Sequence, residues 1–359
     1  ASVMVGMRPD YLTAGTTYYS YDGHYFYTDY ETMLFDYGNE SRENSINSSS
    51  PYFNYFQYLP LRSQSNYNGT DISDILNNRV SSNSKMRDLG TTFVQTQDLY
   101  GVNALLAVGV AANESAWGMS NISQTKNNLF GLNAVDSSPG EAANYYSDVK
   151  VCVKDFTETF LSKQYLNPSN WKYNGAFLGN KASGINVRYA SDPYWGEKAA
   201  NVAWVLDNAN GNRDANTYSI GIKDLISGEH TSLNVRKEAS ASSTRLYNTG
   251  GQSCHAFLIL GEENGFYKIQ SEPVLNSGRT AIDNTTGQYN FDTMYTYVSI
   301  NYVTKVADGS ENDDLLTDVK LVSEKVDISK NELVKIYYDL SKNENGTITV
   351  LNSSGQITK

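Results

Sequence analysis

NALLAVGVAANESAWG, residues 103–118, is the stretch on which the fold turns. Leu105, Leu106, Ala107, Val108, Val110, Ala111 and Ala112 are apolar nearly all round a helical projection. A helix from about Asn103 to Ala116 is therefore expected to lie buried at the centre of a domain. Its apolar run, Ala104 to Ala112, is the longest in the chain and far shorter than the roughly 20 residues a bilayer span needs, so no membrane-spanning segment is expected. Working outward, a helical pattern begins at Asp71, with Asp71 and Ser73 as capping candidates. Thr92 to Tyr100 precedes Gly101, a plausible helix stop. Further helices are expected from Val149 to Leu166 and from Trp195 to Asn208.

The flanks read differently. Tyr11 to Tyr37 is dense in alternating aromatics, and Asp22-Gly23 sits between two strand-like runs, a hairpin signal because Gly permits the positive φ of a tight turn. Asn39 to Ser50 is polar and reads as a loop. The aromatic patch after it, Tyr52 to Tyr58, could border a groove. Beyond Asn208 the period switches to short alternating runs, among them Leu233 to Arg236, Ala256 to Leu260, Phe266 to Gln270 and Tyr297 to Val303, separated by turn residues as in a small β-barrel. The tail from Ala307 opens with an acidic linker, ADGSENDD, and ends in strand-like pieces, LVKIYYDL and TITVL. An α-rich centre with β flanks makes the fold class α+β. At 359 residues the chain is long enough for two or three domains, expected at 1–217, 218–306 and 307–359.

A formal charge of −11 repels phosphodiester backbones and anionic membrane surfaces, so nucleic acid is not an expected partner. The 28 Tyr, set among many Asn, Ser and Gly, suit stacking against sugars as well as ordinary cores. Cys152 and Cys254 fall in different expected domains and are read as buried free thiols. His24, His230 and His255 lie far apart without ligand spacing, and there is no CxxC or HExxH pair, so neither a metal nor a cofactor is expected. Ala1 to Asp10 lacks the basic and apolar regions of a signal peptide, and the abrupt ends suggest a piece of a longer chain.

Glu114 is the sharpest chemical feature: a carboxylate at the C-terminal end of an apolar helix. Burial raises a carboxyl pKa, the state a general acid needs near neutral pH. From the helix alone, a solvated position at the helix end is equally consistent. The strings ANESAWGMSNISQTKNNLFGLNA and RYASDPYWGEKAANV, however, resemble the glucosaminidases of bacterial autolysins, glycoside hydrolase family 73. There a Glu-Ser pair ends a core helix, an Asn-Asn-x-Phe-Gly stretch lies just downstream, and a Tyr-Ala-Thr/Ser-Asp-Pro element precedes the last helix. This chain has Glu114-Ser115, Asn127-Asn128-Leu129-Phe130-Gly131 and Tyr189-Ala190-Ser191-Asp192-Pro193 in that order, and the resemblance covers roughly residues 90 to 210.

The resemblance implies a lysozyme-like, mainly helical catalytic domain with a β-hairpin lobe, Glu114 as catalytic acid and Tyr189 as active-site tyrosine. Asn128, Phe130, Trp117, Tyr194 and Trp195 are the candidate sugar contacts, although Trp195 stands where many members place a second Tyr. The family's second carboxylate sits on a mobile lobe, where Asp136, Glu141 and Asp148 all fall. Asp148 is favoured because it follows Tyr145-Tyr146 and immediately precedes the next helix, and it could equally be a helix N-cap. Assistance by the substrate's N-acetyl group is a third possibility. Residues 218–306 resemble bacterial SH3-type wall-binding domains through Leu233-Asn234-Val235-Arg236, Asn264 to Ile269 and Tyr297-Val298-Ser299. Residues Gln270 to Met294 exceed the usual connection and read as an insertion. The implied protein is a monomeric, secreted autolysin of a Gram-positive cell wall. It would cleave the β-1,4 bond on the reducing side of N-acetylglucosamine in peptidoglycan glycan strands. Muramidase or lytic transglycosylase chemistry, or wall binding without catalysis, are the alternatives.

Overall fold

The computed structural model describes residues 6–133, 142–223, 232–309, 316–321 and 336–340. Its helices are α1 (Tyr30–Gly38), α2 (Tyr55–Tyr58), α3 (Gly69–Arg79), α4 (Gly90–Tyr100), α5 (Ala104–Ser115), α6 (Asn121–Lys126), α7 (Val149–Asp155), α8 (Asn186–Tyr189) and α9 (Trp195–Ala209). α7 continues directly into a π-helix, Phe156–Tyr165. The strands are β1 (Ser219–Lys223), β2 (Asn234–Arg236), β3 (Arg245–Asn248), β4 (His255–Glu263), β5 (Phe266–Gln270), β6 (Tyr295–Ser299), β7 (Val303–Ala307), β8 (Leu316–Leu321) and β9 (Ile336–Leu340). The class is α+β.

α5 is the buried axis its sequence describes. Asn103 caps it by accepting from the Leu106 N–H, and ten of its twelve residues are buried. It packs mainly against α9. Gly109 allows that approach: a Cβ there would lie 2.6 Å from the Ala199 carbonyl oxygen. α4 stops where Gly101 turns left-handed, at φ +63°.

Two local expectations are corrected. The aromatic run after Asp22-Gly23 does not continue as a strand. Pairing is confined to one bridge, Tyr19–Tyr27, and Tyr30 opens a helix because the Asp29 carboxylate accepts from the Thr32 N–H and hydroxyl. For α3 the N-cap is Asn68, three residues earlier than expected. Asp71 is its reciprocal partner, the two side chains each accepting from the other's backbone N–H. Ser73 instead accepts from the Gly90 N–H, tying α3 to the start of α4.

Strands β1 to β7 form one antiparallel sheet in the order β3-β2-β6-β5-β4-β1-β7. Alternation along β4 sends Ala256 and Leu258 into the helical core, together with Ile220 and Ile222 of β1, while Phe257 joins a second core with Val235, Ile269 and Val298. Residues 1–308 consequently form one compact unit, and the seam expected at 217/218 lies inside it. Residues 309–359 form a second unit, in which β8 and β9 pair antiparallel.

The segment read as an insertion, Gln270 to Met294, is the strap that fastens sheet to helices. Arg62, fully buried, donates to the carbonyls of Glu272 (2.8 Å), Tyr100 (2.6 Å) and Gly101 and to the Ser162 hydroxyl, with its guanidinium 4.1 Å from the Tyr289 ring centre. Tyr289 in turn occupies the space a side chain at Gly101 would fill. The Glu272 carboxylate accepts from Tyr173 (2.7 Å), Tyr247 (3.2 Å), the Ala176 N–H (3.0 Å) and the His255 imidazole (2.9 Å). Burial alone would raise its pKa. The His255 charge and these hydrogen bonds prevail and hold it below the usual glutamate value. Cys152 and Cys254 are both buried and outside any disulfide.

Candidate active site

Glu114 occupies the last turn of α5, where the chain leaves the helix through left-handed Ala116 and Trp117. Ser115 fixes that exit: its hydroxyl donates back to the Ala111 carbonyl and accepts from the Gly118 N–H. The Glu-Ser pair thus divides its work, with Ser115 buried and structural and Glu114 only partly buried.

Three segments converge on the carboxylate. The first turn of α9 supplies Trp195, whose indole Nε1–H donates to Glu114 Oε1. The loop 127–131 passes on the other side, where a Cβ at Gly131 would sit 3.7 Å from Oε2. α8 brings Tyr189, whose ring centre lies 4.7 Å from that of Trp195 and whose hydroxyl donates to the Phe130 carbonyl at 2.9 Å. Burial pushes the Glu114 carboxyl above its ordinary value. Hydrogen bonds from Trp195 and Asn113 pull it back, and the negative charge of Asp192 adds to the rise. Burial and the nearby Glu114 charge likewise drive the Tyr189 phenol well above 10.0, so it stays a neutral donor. A carboxyl with a raised pKa, held by one indole and near a neutral phenol, has the protonation behaviour a general acid needs.

The other expected sugar contacts take varied positions. Asn128 is buried and organises its loop, accepting from the Phe130 and Leu132 N–H groups and donating to the Leu132 and Asn144 carbonyls. Phe130 is buried, stacked on Phe156 at 3.7 Å, and reaches the site through its carbonyl. Trp195 is buried beneath the acid. Tyr194 is exposed, and Trp117 is half-buried under the Arg79 guanidinium.

Asp148 caps α7, accepting from the Lys150 N–H at 2.7 Å, and makes no hydrogen bond or ion pair to Glu114, Tyr189 or Trp195. Asp136 and Glu141 lie outside the described residues, as does His230. Among the described residues, the carboxylate whose charge reaches Glu114 is Asp192, paired with Lys198 and kept ionised by it. In the sequence Asp192 stands inside the Tyr189-to-Pro193 motif with no task of its own. The signal available was Lys198, six residues on and near the start of α9. Among the described residues, no group of three or more His, Cys, Asp or Glu side chains could hold a metal ion, and no helix is long and apolar enough to cross a membrane.

Residues 90–208, which include every one of these segments, match the glucosaminidase family, described as mannosyl-glycoprotein endo-beta-N-acetylglucosaminidase. This stretch is a glucosaminidase domain. Two Streptococcus pneumoniae proteins from different strains, both provisionally named endo-beta-N-acetylglucosaminidase, are 32% identical to the chain over 214 residues. That alignment takes in 60% of this chain and 28% and 27% of theirs, so the chain spans under a third of the curated relatives it matches. Among solved structures, a catalytic mutant of Staphylococcus aureus autolysin E in complex with the disaccharide NAG-NAM is similar at 17% identity and a TM-score of 0.36. It covers 44% of this chain and 73% of that one. The same autolysin in complex with a muropeptide gives 19% and 0.31 over the same shares. The glucosaminidase domain begins at α4 and ends in α9, so residues 6–89 and the seven-stranded sheet lie outside it.

Proposed function

We propose that the chain hydrolyses the glycan strands of peptidoglycan at the β-1,4 bond on the reducing side of N-acetylglucosamine, with Glu114 as general acid. The observation that carries this reading is the Glu114 carboxyl itself, raised by burial at the end of α5 within a glucosaminidase domain. Tyr189 lines the reacting sugar, and Trp195 orients the acid. A second carboxylate, Asp148 or else Asp136 or Glu141, activates water; without one, the substrate's N-acetyl group attacks the anomeric carbon. The catalytic lobe is lysozyme-like, residues 218–306 are an SH3-like wall-binding segment, and the protein works as a monomer in a Gram-positive cell wall.

Dye release from purified walls, with mass analysis of the reduced products, tests the reading. A reduced N-acetylglucosamine end is expected, and a reduced or anhydro muramic end would replace the reading with muramidase or transglycosylase chemistry. Glu114→Gln should lower the rate by about 10²–10⁴-fold while the protein still pellets with walls, because the amide cannot supply the proton.

A further inference from the structure

Trp195 turns toward Glu114, but its neighbours Tyr194 and Glu197 line a different space. With the segment 22–58 they enclose a cavity of about 380 Å³ whose walls include the rings of Phe26, Tyr52 and Tyr58. Glu114 is not part of its lining. The two sites are nonetheless neighbours, because the charge of Asp192 acts on both Glu114 and Glu197. Most of this cavity comes from residues outside the glucosaminidase domain.

The far wall is preset. The Tyr52 carbonyl can only accept, so the His24 Nδ1 that lies 2.7 Å from it carries the proton. His24 Nε2 then accepts from the Tyr58 hydroxyl at 3.1 Å, and the imidazole stacks on Phe53 at 4.2 Å. Burial lowers the His24 pKa and keeps the ring neutral. Asp22 also lines the cavity, but its carboxylate already accepts from the His24 and Tyr25 N–H groups and lies 3.9 Å from Arg42. Glu197 differs: its carboxylate takes a hydrogen bond from the Gln57 side chain, but Oε2 is buried and has no hydrogen-bond partner among the described residues. An acceptor left waiting in a buried pocket costs free energy that a ligand's donor would recover.

Aromatic faces and a carboxylate with one unpaired oxygen fit a neutral ring bearing hydroxyl groups. We propose that this cavity is a saccharide subsite, separate from the catalytic acid, that takes one N-acetylated aminosugar unit. Its pyranose ring stacks on Tyr194, and a hydroxyl donates to the Glu197 carboxylate. The proposal rests on the reading that the protein acts on such glycans, and it adds a second hold on the strand, built by the N-terminal segment.

The test is calorimetric titration of the full chain carrying Glu114→Gln with tri-N-acetylchitotriose, alone and with Tyr194→Ala or Glu197→Ala added. Each added change should weaken binding by about tenfold, the loss of one stacking or hydrogen-bonding contact, with the thermal midpoint retained. Tyr194 is exposed, and the Glu197 carboxylate also takes a hydrogen bond from the Gln57 side chain, so the thermal midpoint, measured on both variants, separates a lost ligand contact from a lost structural one. Binding within about twofold of the parent for both variants, or no binding by the parent, overturns the subsite. So does displacement of the trisaccharide by Nα-acetyl-lysine, which would mark a cation pocket. Titration reads binding alone, so wild-type protein that fails to degrade walls would count against the hydrolytic reading and not against this cavity.

Discussion

The indole of Trp195 donates its one N–H hydrogen to Oε1 of Glu114, joining the first turn of α9 to the last turn of α5. The bond favours the ionised carboxylate and so opposes the rise that burial imposes. Trp195→Phe should therefore raise the Glu114 pKa further. A general acid works in its protonated form, so the alkaline limb of the wall-hydrolysis profile should move to higher pH. A limb that stays in place or moves down would show that Trp195 does not tune the acid.

Tyr189→Phe removes one hydroxyl that donates to the Phe130 carbonyl. We expect a large loss of turnover and a stability cost of only about 1 kcal/mol, the worth of one hydrogen bond. Wall hydrolysis and urea denaturation measured on the same variant decide the matter. A fall in stability matching the fall in rate would make Tyr189 a structural residue.

As the N-cap of α7, Asp148 should tolerate Asn, which caps about as well as Asp. As the base that activates water, it should not. Asp148→Asn, Asp136→Asn and Glu141→Gln compared in rate and thermal midpoint separate the cases: collapse of one names the base. Near-normal rates in all three assign the step to the substrate's own N-acetyl group.

Glu272→Gln should destabilise the 1–308 unit on the order of 3–5 kcal/mol, since it leaves His255 and two tyrosine hydroxyls facing an amide. The folded carboxyl titrates below its ordinary value near 4.5. Its contribution is thus present in full above that value and lost as pH falls toward the depressed folded one. The stability gap between wild type and variant, tracked by urea denaturation from about pH 7 to about pH 3, should shrink on acidification. A constant gap would place the Glu272 contribution in its packing.

Local signals in the sequence carried the helices well. The apolar circumference of 104–112, Gly101 as a stop and Trp195 as a start all correspond to elements of the structure. α1 was misread because YYSYDGHYFYTDYE alternates rings and polar residues as a strand does, whereas the Asp29 cap acts through one side chain that alternation does not weigh. Glu114 and Tyr189 could be named from their motifs, but the Trp195 bond and the reach of Asp192 depend on how α5, α8 and α9 meet. The cavity beside Glu197 joins residues more than 130 positions apart, and no periodicity reports such a meeting.

The strap at 270–294 ties the sheet of the 1–308 unit to its helices from both directions. Arg62, from the helical side, finds an acceptor in the Glu272 backbone, and Glu272, from the sheet side, finds donors in Tyr173 and Ala176. A sheet exchanged for another without this strap would strand a guanidinium in the interior short of a partner and bare the face of Gly101 to water. The sheet and the helices therefore depend on each other for the pairing of their buried charges, through Arg62 on one side and Glu272 on the other.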